Sequence, residues 1–321
     1  IPNHRHAVAS IWAIQACNHV SVEKPCCLYF YVGQKLLEAK RIYTVIVQVG
    51  AEERSNPCAI SMADYLHSGK LGEVYLAKGM CYKWRDSIGT YPDGPMREDE
   101  KFAFTLGSSN YEPPYTREYL KQVDYNIWQG PAPEKPFNRN RFHYNWHWNW
   151  DYGNGDMGNQ GVHEMDIARW GLNVKLPHKI TAVGGHFMFR DAQNTPNSSM
   201  TLFEFPNPEG KGDKKKILQF EVRHWITNKE GLSRPVEDNN NNYMTSASNN
   251  IGNLFYGSKG YMSKNLNDWR VYMGRDLIPA VSENGIGNHY ENFISAIRAN
   301  DQSLAKADIE DGFYSCALIH L

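Results

Sequence analysis

The alternation of helical and strand patterns in the first fifty residues constrains this chain most. Residues 4 to 17 place Ala7, Val8, Ile11, Trp12 and Ala16 at helical spacing, Asn18 is a plausible stop, and His19 to Val22 reads as a short strand. A second round follows: Val32, Leu36, Leu37, Ala39 and Tyr43 mark a helix, and Thr44 to Val49 is a β-branched run suited to a strand buried on both faces. Helix, strand, helix, strand is the grammar of a parallel α/β sheet. Such a sheet needs more than two strands, so the pattern predicts the last part of a doubly wound domain with its first strands upstream of Ile1. Both ends read as cut, which leaves compartment open between cytoplasm and export.

Beyond residue 50 the pattern changes. Pro57 to His67 predicts a helix and Gly72 to Tyr82 a strand, whereas residues 86 to 140 are rich in Pro, Gly, Asn and Tyr without a sustained period. A stretch of that length is expected to be a functional loop at the mouth of a cleft. Strands are expected around 141 to 150, 179 to 190, 199 to 205, 216 to 226 and 269 to 273, with helices near 160 to 172 and 288 to 300. Few helices between many strands predicts an open, mostly antiparallel sheet. Lys211 to Lys216 reads as a hairpin turn and Asp238 to Asn242 as a polar loop.

Charge and composition remove several functions. With 34 Lys+Arg against 35 Asp+Glu, nothing draws the chain as a whole to nucleic acid or to an acidic membrane. No apolar run reaches the roughly 20 residues of a spanning helix. The six cysteines form no C-x-x-C pair, so they read as reduced thiols, and no metal is expected.

Four segments carry chemistry. Glu23-Lys24-Pro25 follows the strand at 20 to 22, where parallel sheets bind ligands. Gly153-Asn-Gly155-Asp-Met-Gly158 matches G-x-G-x-x-G, yet it follows the aromatic and polar run Phe142 to Trp150, and Pro177-His-Lys-Ile stands where an acidic ribose ligand belongs. It reads instead as a tight glycine entry to a helix opening at about Asn159. On that helix Asn159, His163 and Asp166, at i, i+4 and i+7, share one face. The run 142 to 150, read as a strand, should bury one set among Tyr144, Trp146, Trp148 and Trp150 and turn His143, Asn145, His147 and Asn149 toward a cleft. Tyr144 and His147 are the candidates there for substrate contact, and Trp84 and Arg85 offer a face and a donor of the kind that holds sugars or nucleotides.

Taken together, Ile1-Pro-Asn-His-Arg-His6, Val22-Glu-Lys-Pro25, Val47-Gln-Val-Gly50 and Gly153 to Asp166 resemble the Gfo/Idh/MocA oxidoreductase family, named for glucose-fructose oxidoreductase and inositol dehydrogenase. The resemblance spans nearly the whole chain. It implies an α/β fold in three parts: residues 1 to 52 as the C-terminal remnant of a Rossmann domain, 53 to 287 as a substrate and oligomerisation domain with an open sheet, and 288 to 321 as a helical segment that packs back on the Rossmann part. It implies NAD or NADP as cofactor, a sugar or polyol substrate, and a homo-oligomer formed through the sheet. By the same resemblance Pro2, Asn3, His6, Glu23, Lys24 and Pro25 line the cofactor, Arg54, Trp84 and Arg85 lie near cofactor or substrate, Lys24 is a catalytic lysine, His163 the general acid/base and Asp166 the carboxylate after it.

Two departures from the family pattern stand out. Asn159 replaces the usual Asp four residues before the histidine, and it can orient an imidazole or a sugar hydroxyl without adding charge. The first βαβ unit, with its phosphate loop, would occupy roughly a hundred residues before Ile1. The implied reaction is hydride transfer between nicotinamide and a sugar carbon. A redox-assisted glycoside cleavage and a non-catalytic carbohydrate-binding scaffold are the alternatives. The residues 1 to 321 alone are expected to bind dinucleotide poorly and to leave the 20 to 22 and 44 to 49 sheet with an uncovered edge.

Overall fold

The computed structural model describes residues 1–98, 101–106, 109–206, 215–225, 230 and 249–321. Two turns of α/β structure come first: α1 (Asn3–Gln15), β1 (Val20–Val22), α2 (Phe30–Ile42) and β2 (Val47–Val49). Strands β1 and β2 pair in parallel, Val20 with Val47 through Val22 with Val49. All three residues of β2 are buried, as the β-branched run requires. The outer edge of β2 is met by the chain near 302 to 308: Gln302 accepts from the Val47 N–H, Val49 N–H donates to Ala307 O, and Gln48 bridges to Asp308. The edge expected to lie open is therefore covered on the β2 side.

A 3-10 turn at Glu52–Ser55 leads into α3 (Pro57–His67), which starts where the sequence predicts because the Asn56 side chain caps Cys58 N–H and Pro57 sets the first turn. Strand β3 (Val74–Lys83) then enters the large sheet. The stretch expected to be a functional loop without regular structure contains the hairpin β4 (Lys101–Leu106) and β5 (Ser109–Thr116), α4 (Arg117–Leu120) and α5 (Tyr125–Gln129). Tyr125, Trp128, Phe137, Phe142 and Tyr152 stack into a small aromatic core of their own, their neighbouring centroids 5.0 to 6.2 Å apart. His4 and Arg5 bond to the carbonyls of Gln129 and Ile127, so this unit packs against α1.

Residues His143–Trp148 form a 3-10 helix, not a strand. Alternating aromatic and polar residues imitate a period of two, but His143 takes a left-handed φ of 47° and turns the chain. Burial follows no alternation: His147, Trp148 and Asn149 are buried in succession, and Trp150 is exposed. Next come α6 (Gly155–Asn159) and α7 (Gly161–Leu172). The predicted single helix is broken at Gln160, so Asn159 belongs to one helix and His163 with Asp166 to the next. Gly155 opens α6 at φ 63°, a conformation that L side chains rarely adopt.

The rest builds the sheet: β6 (Lys179–Gly185), β7 (Ser198–Pro206), β8 (Lys215–Arg223), β9 (Asn249–Gly257), β10 (Gly260–Lys264), β11 (Asp268–Met273) and β12 (Ile278–Asn284). Its order is β12-β11-β10-β9-β3-β8-β7-β6, antiparallel throughout except where β3 runs parallel to β8. Sequence patterning misses β9, β10 and β12. The predicted turn at 211 to 216 falls largely, and the loop at 238 to 242 wholly, outside the described residues. Helix α7 lies on one face of the sheet, close enough at Gly161 that a Cβ there would drive into the Phe220 ring. Met200, Leu202 and Val183 stay exposed on β7 and β6. The chain ends with α8 (His289–Ala299), a 3-10 turn at Gln302–Leu304 and α9 (Ile309–His320), which packs against α2, α7 and β2.

Candidate active site

The carboxyl ends of β1 and β2 release two short turns, Glu23-Lys24-Pro25 and Gly50-Ala51, toward the N-terminal turn of α7. Between them is a small cleft walled by Lys24, Val49, Ala51, Val162, His163, Asp166, Gly312, Ser315 and Cys316. Lys24 and His163, 139 residues apart in sequence, thus face one space (163 − 24). Among the described residues none of 86 to 140 belongs to these walls.

Lys24 donates to the backbone carbonyl of Asn159 and, at 3.4 Å, to its Oδ1. Burial lowers the lysine's pKa, with the nearby Lys83 ammonium adding to the effect. An ammonium has three donors, so one N–H remains without a partner among the described residues. His163 keeps 17 % of its side chain exposed, and the nearest carboxylate, Glu52 Oε2, stands 3.9 Å from Nδ1, beyond hydrogen-bond length. Burial pushes its pKa down to about 3, and the Lys24 charge acts in the same direction. At neutral pH the imidazole is uncharged and can accept a proton.

Asp166 and Arg54 hold each other. Arg54 Nε meets Oδ2 at 2.8 Å and Nη2 meets Oδ1 at 2.9 Å, Ser315 Oγ donates to Oδ1 at 2.5 Å, and Arg54 also pairs with Asp311. Burial works against the Asp166 charge, but the Arg54 guanidinium keeps its carboxyl below the ordinary range. The pair fixes α7 to the turn after β2 and to α9. A larger groove of about 510 Å3 beside Trp170 is walled by Arg54, Arg169 and Asp311, charges already engaged with one another.

Asn159 is itself held from below. Its Nδ2 donates to Asp156 Oδ1 at 2.9 Å and to the Tyr144 hydroxyl at 3.2 Å. Asp156, 1 % exposed, takes two bonds from Arg85, both 3.0 Å, and has His224 Nε2 at 2.7 Å. Burial opposes its ionisation, yet Arg85 and His224 hold the carboxyl well below its usual value. Arg85 lies over the rings of Trp148 and Tyr144, 5.0 and 5.6 Å from their centroids. Sequence reasoning named Arg85, Tyr144 and Asn159 but missed Asp156 and His224, which join them. The acidic residue inside the glycine stretch was the available signal.

The remaining candidates divide. His6 clasps the carbonyls of Pro25, at 2.8 Å, and Ile1, at 3.0 Å, so it positions the Lys24 turn through the backbone. Pro2 caps α1 and Asn3 is buried in its first turn. Glu23 folds over Gly50, where a Cβ would stand 3.1 Å from Oε2. Trp84 stacks on Trp225 at 4.1 Å and donates to Asp86, while His147 stacks on Trp146 and bonds to Tyr144 O at 2.7 Å. Behind Lys24, Gln160 accepts from Lys83 and donates to Glu164, whose pKa burial pushes up to about 8.

These shifts fix a pH dependence. His147 and His163 are held near 3, below the ordinary 6.5, so as pH falls the unfolded chain takes up protons first. The stability intact above pH 6.5 is lost progressively down to about 3, at up to about 1.4 kcal/mol per histidine and pH unit. Glu164 has the opposite sign: its contribution is intact below its ordinary 4.5 and lost as pH rises through about 8. Glu164→Gln is expected to raise Tm clearly at pH 8 and little at pH 5, as thermal melts at the two values would read; equal shifts would refute the buried, protonated carboxyl.

Residues 99–184 match the family profile described as oxidoreductase family, C-terminal alpha/beta domain, of Gfo/Idh/MocA type. No curated protein matches the sequence. Among solved structures, the chain is similar to the WlbA dehydrogenase from Bordetella pertussis, in complex with NADH and UDP-GlcNAcA, at 15 % identity and TM-score 0.57 over 99 % of this chain and 72 % of that one. It is similar to levoglucosan dehydrogenase in complex with NADH, at 15 % identity and TM-score 0.61 over 99 % and 74 %, and to an oxidoreductase from Sinorhizobium meliloti, at 14 % and 0.59 over 99 % and 73 %.

Proposed function

We propose that this chain, which carries the C-terminal α/β domain of the Gfo/Idh/MocA oxidoreductases, is an NAD(P)-dependent oxidoreductase of a sugar, polyol or derivative. The observation that carries the reading is the cleft in which a neutral His163 and a Lys24 with one uncommitted N–H face each other at the carboxyl ends of two parallel strands. The donor set fits the nicotinamide end of a dinucleotide: a cation, a proton acceptor and an apolar wall of Val49, Ala51 and Val162. Pro2, Asn3, His6, Glu23 and Pro25 frame that side, and residues 1 to 52 belong to the cofactor domain. Residues 53 to 287 form the substrate domain, and 288 to 321 pack back on the first part.

When bound, the nicotinamide supplies the hydride acceptor or donor. The protein's own groups handle the oxygen. His163 takes the hydroxyl proton of the substrate, and Lys24 donates to that oxygen as it becomes a carbonyl. Asn159 holds the ammonium in place from its other side, and the apolar wall keeps water from the reacting carbon. Tyr144 and Arg85, reached through Asn159 and Asp156, stand on the substrate side. The sugar-like ligands of the similar structures, UDP-GlcNAcA and levoglucosan, support this substrate class. The exposed apolar residues on β6 and β7 suit a homo-oligomer built through the sheet.

Intrinsic tryptophan fluorescence during NADH and NADPH titration, followed by a sugar and polyol panel read as change in reduced nicotinamide, tests the proposal. Binding of one of the two cofactors and turnover of a panel member, both weakened by Lys24→Met, are expected of the protein as it occurs naturally, whereas residues 1 to 321 alone are expected to bind the cofactor more weakly. Absence of binding and of turnover in the natural protein would overturn the proposal.

A further inference from the structure

Three buried thiols and an imidazole from opposite ends of the chain meet beneath the Lys24 turn. Cys26 and Cys27 directly follow Pro25, Cys316 comes from α9, and His320 lies one turn further along that helix. Cys26, Cys27 and Cys316 are at most 1 % exposed, and their Sγ atoms all lie within 4.8 Å of one another. Cys26 Sγ is 3.5 Å from Cys316 Sγ, and Cys27 Sγ is 3.5 Å from His320 Nε2.

We propose that Cys26, Cys27, Cys316 and His320 form a closed, structural Cys3His site for Zn2+. The spacing argues for it. Zinc binds thiolate at about 2.3 Å and imidazole at about 2.0 to 2.1 Å, so a tetrahedron has a sulfur–sulfur edge of about 3.8 Å and a sulfur–nitrogen edge of about 3.6 Å. The two contacts above, one of each kind, are close to those edges; the sulfur pairs need at most about 1 Å of closure, and His320, within reach of Cys27 but more than 4.8 Å from at least one of the other two sulfurs, must turn its side chain further to complete the tetrahedron. The Cys26 backbone N–H points at Cys316 Sγ from 3.3 Å, the sort of outer bond that stabilises a ligating thiolate. Space is made for the Cys27 sulfur by Gly33 of α2, where a Cβ would stand 2.7 Å from it. A Cys26–Cys316 disulfide would use two of the four groups and leave Cys27 and His320 without a role.

Four protein ligands leave no open position, so the metal's work is to hold rather than to react. It staples the turn that carries Lys24 to the helix whose Ser315 bonds Asp166 and whose Cys316 lines the cleft. The sequence hides the set because Cys26 and Cys316 are 290 residues apart. The inference goes beyond the redox reading and stands or falls apart from it, since its readouts are metal content and spectra.

The test is elemental analysis of untagged protein purified under reducing conditions, with Co2+ exchanged for the bound metal. About one equivalent of zinc per chain is expected, and the cobalt form should show thiolate charge-transfer and tetrahedral d–d absorption. Cys316→Ser with His320→Ala should reduce the metal to trace, while Cys17→Ser, at an exposed thiol, should leave it unchanged. Because the double substitution also touches the α9 packing, the cobalt spectrum of the unsubstituted protein decides independently. Metal-free protein with no tetrahedral cobalt spectrum, a mass lower by two hydrogens from a Cys26–Cys316 disulfide, or full metal retention in the double variant would overturn the site.

Discussion

His163→Ala is expected to lower kcat by about 10²- to 10⁴-fold while leaving NADH affinity within a few-fold of the parent, the usual range for loss of a positioned acid/base. The imidazole is neutral, partly open to the cleft and not hydrogen-bonded to Glu52, so removing it deletes a proton acceptor rather than a structural bond. Lys24→Met should cost less, about 10²- to 10³-fold, because it removes one donor to the oxygen and leaves the proton acceptor in place. The pH profile separates the roles. With His163 held near 3, kcat/KM of the parent should stay flat from pH 8 to pH 5 instead of bending near the ordinary imidazole value. Steady-state kinetics with parallel fluorescence titrations would check this. A His163→Ala variant with unchanged kcat and weakened cofactor binding would remove the residue from the chemistry.

The sequence made the site legible wherever local chemistry and tertiary structure agree. Pro57 with Asn56 before it fixes the start of α3, and the β-branched run at 44 to 49 can only be an interior strand, so the turns after the two parallel strands were placed well enough to bring Lys24 near His163. Reading failed where period and environment part company. The run 142 to 150 alternates like a strand, yet its residues curl into a 3-10 helix that stacks His147 on Trp146. Strand β9 is rich in Asn and Gly, and β12 is exposed along its whole length, so neither shows the buried alternation that marks a strand. Partnerships across long separations leave no local trace at all. Nothing near Asp156 announces Arg85 or His224, and nothing near Arg54 announces Asp166 and Asp311.

Asp156→Ala is the substitution expected to cost most in stability, about 3 to 5 kcal/mol, because it leaves the Arg85 guanidinium buried without its counter-charge. Arg85 spends both bonds on this carboxylate, and the rings of Trp148 and Tyr144 beneath it offer only cation–π contact in exchange. The loss should also reach the cleft. Asn159 Nδ2 would lose its 2.9 Å bond to Asp156, and Asn159 is the residue to which Lys24 donates, so the ammonium should lose its fixed position. Asp156→Asn keeps the shape and one acceptor while removing the charge, so it should fall between parent and alanine in stability and recover part of the turnover. Urea denaturation monitored at tryptophan, with kinetics at a temperature where each variant stays folded, would measure both effects. An alanine variant with parent-like stability would mean that water or a rearranged Arg85 replaces the pair, and then the line from Asp156 through Asn159 to Lys24 would not be what positions the lysine.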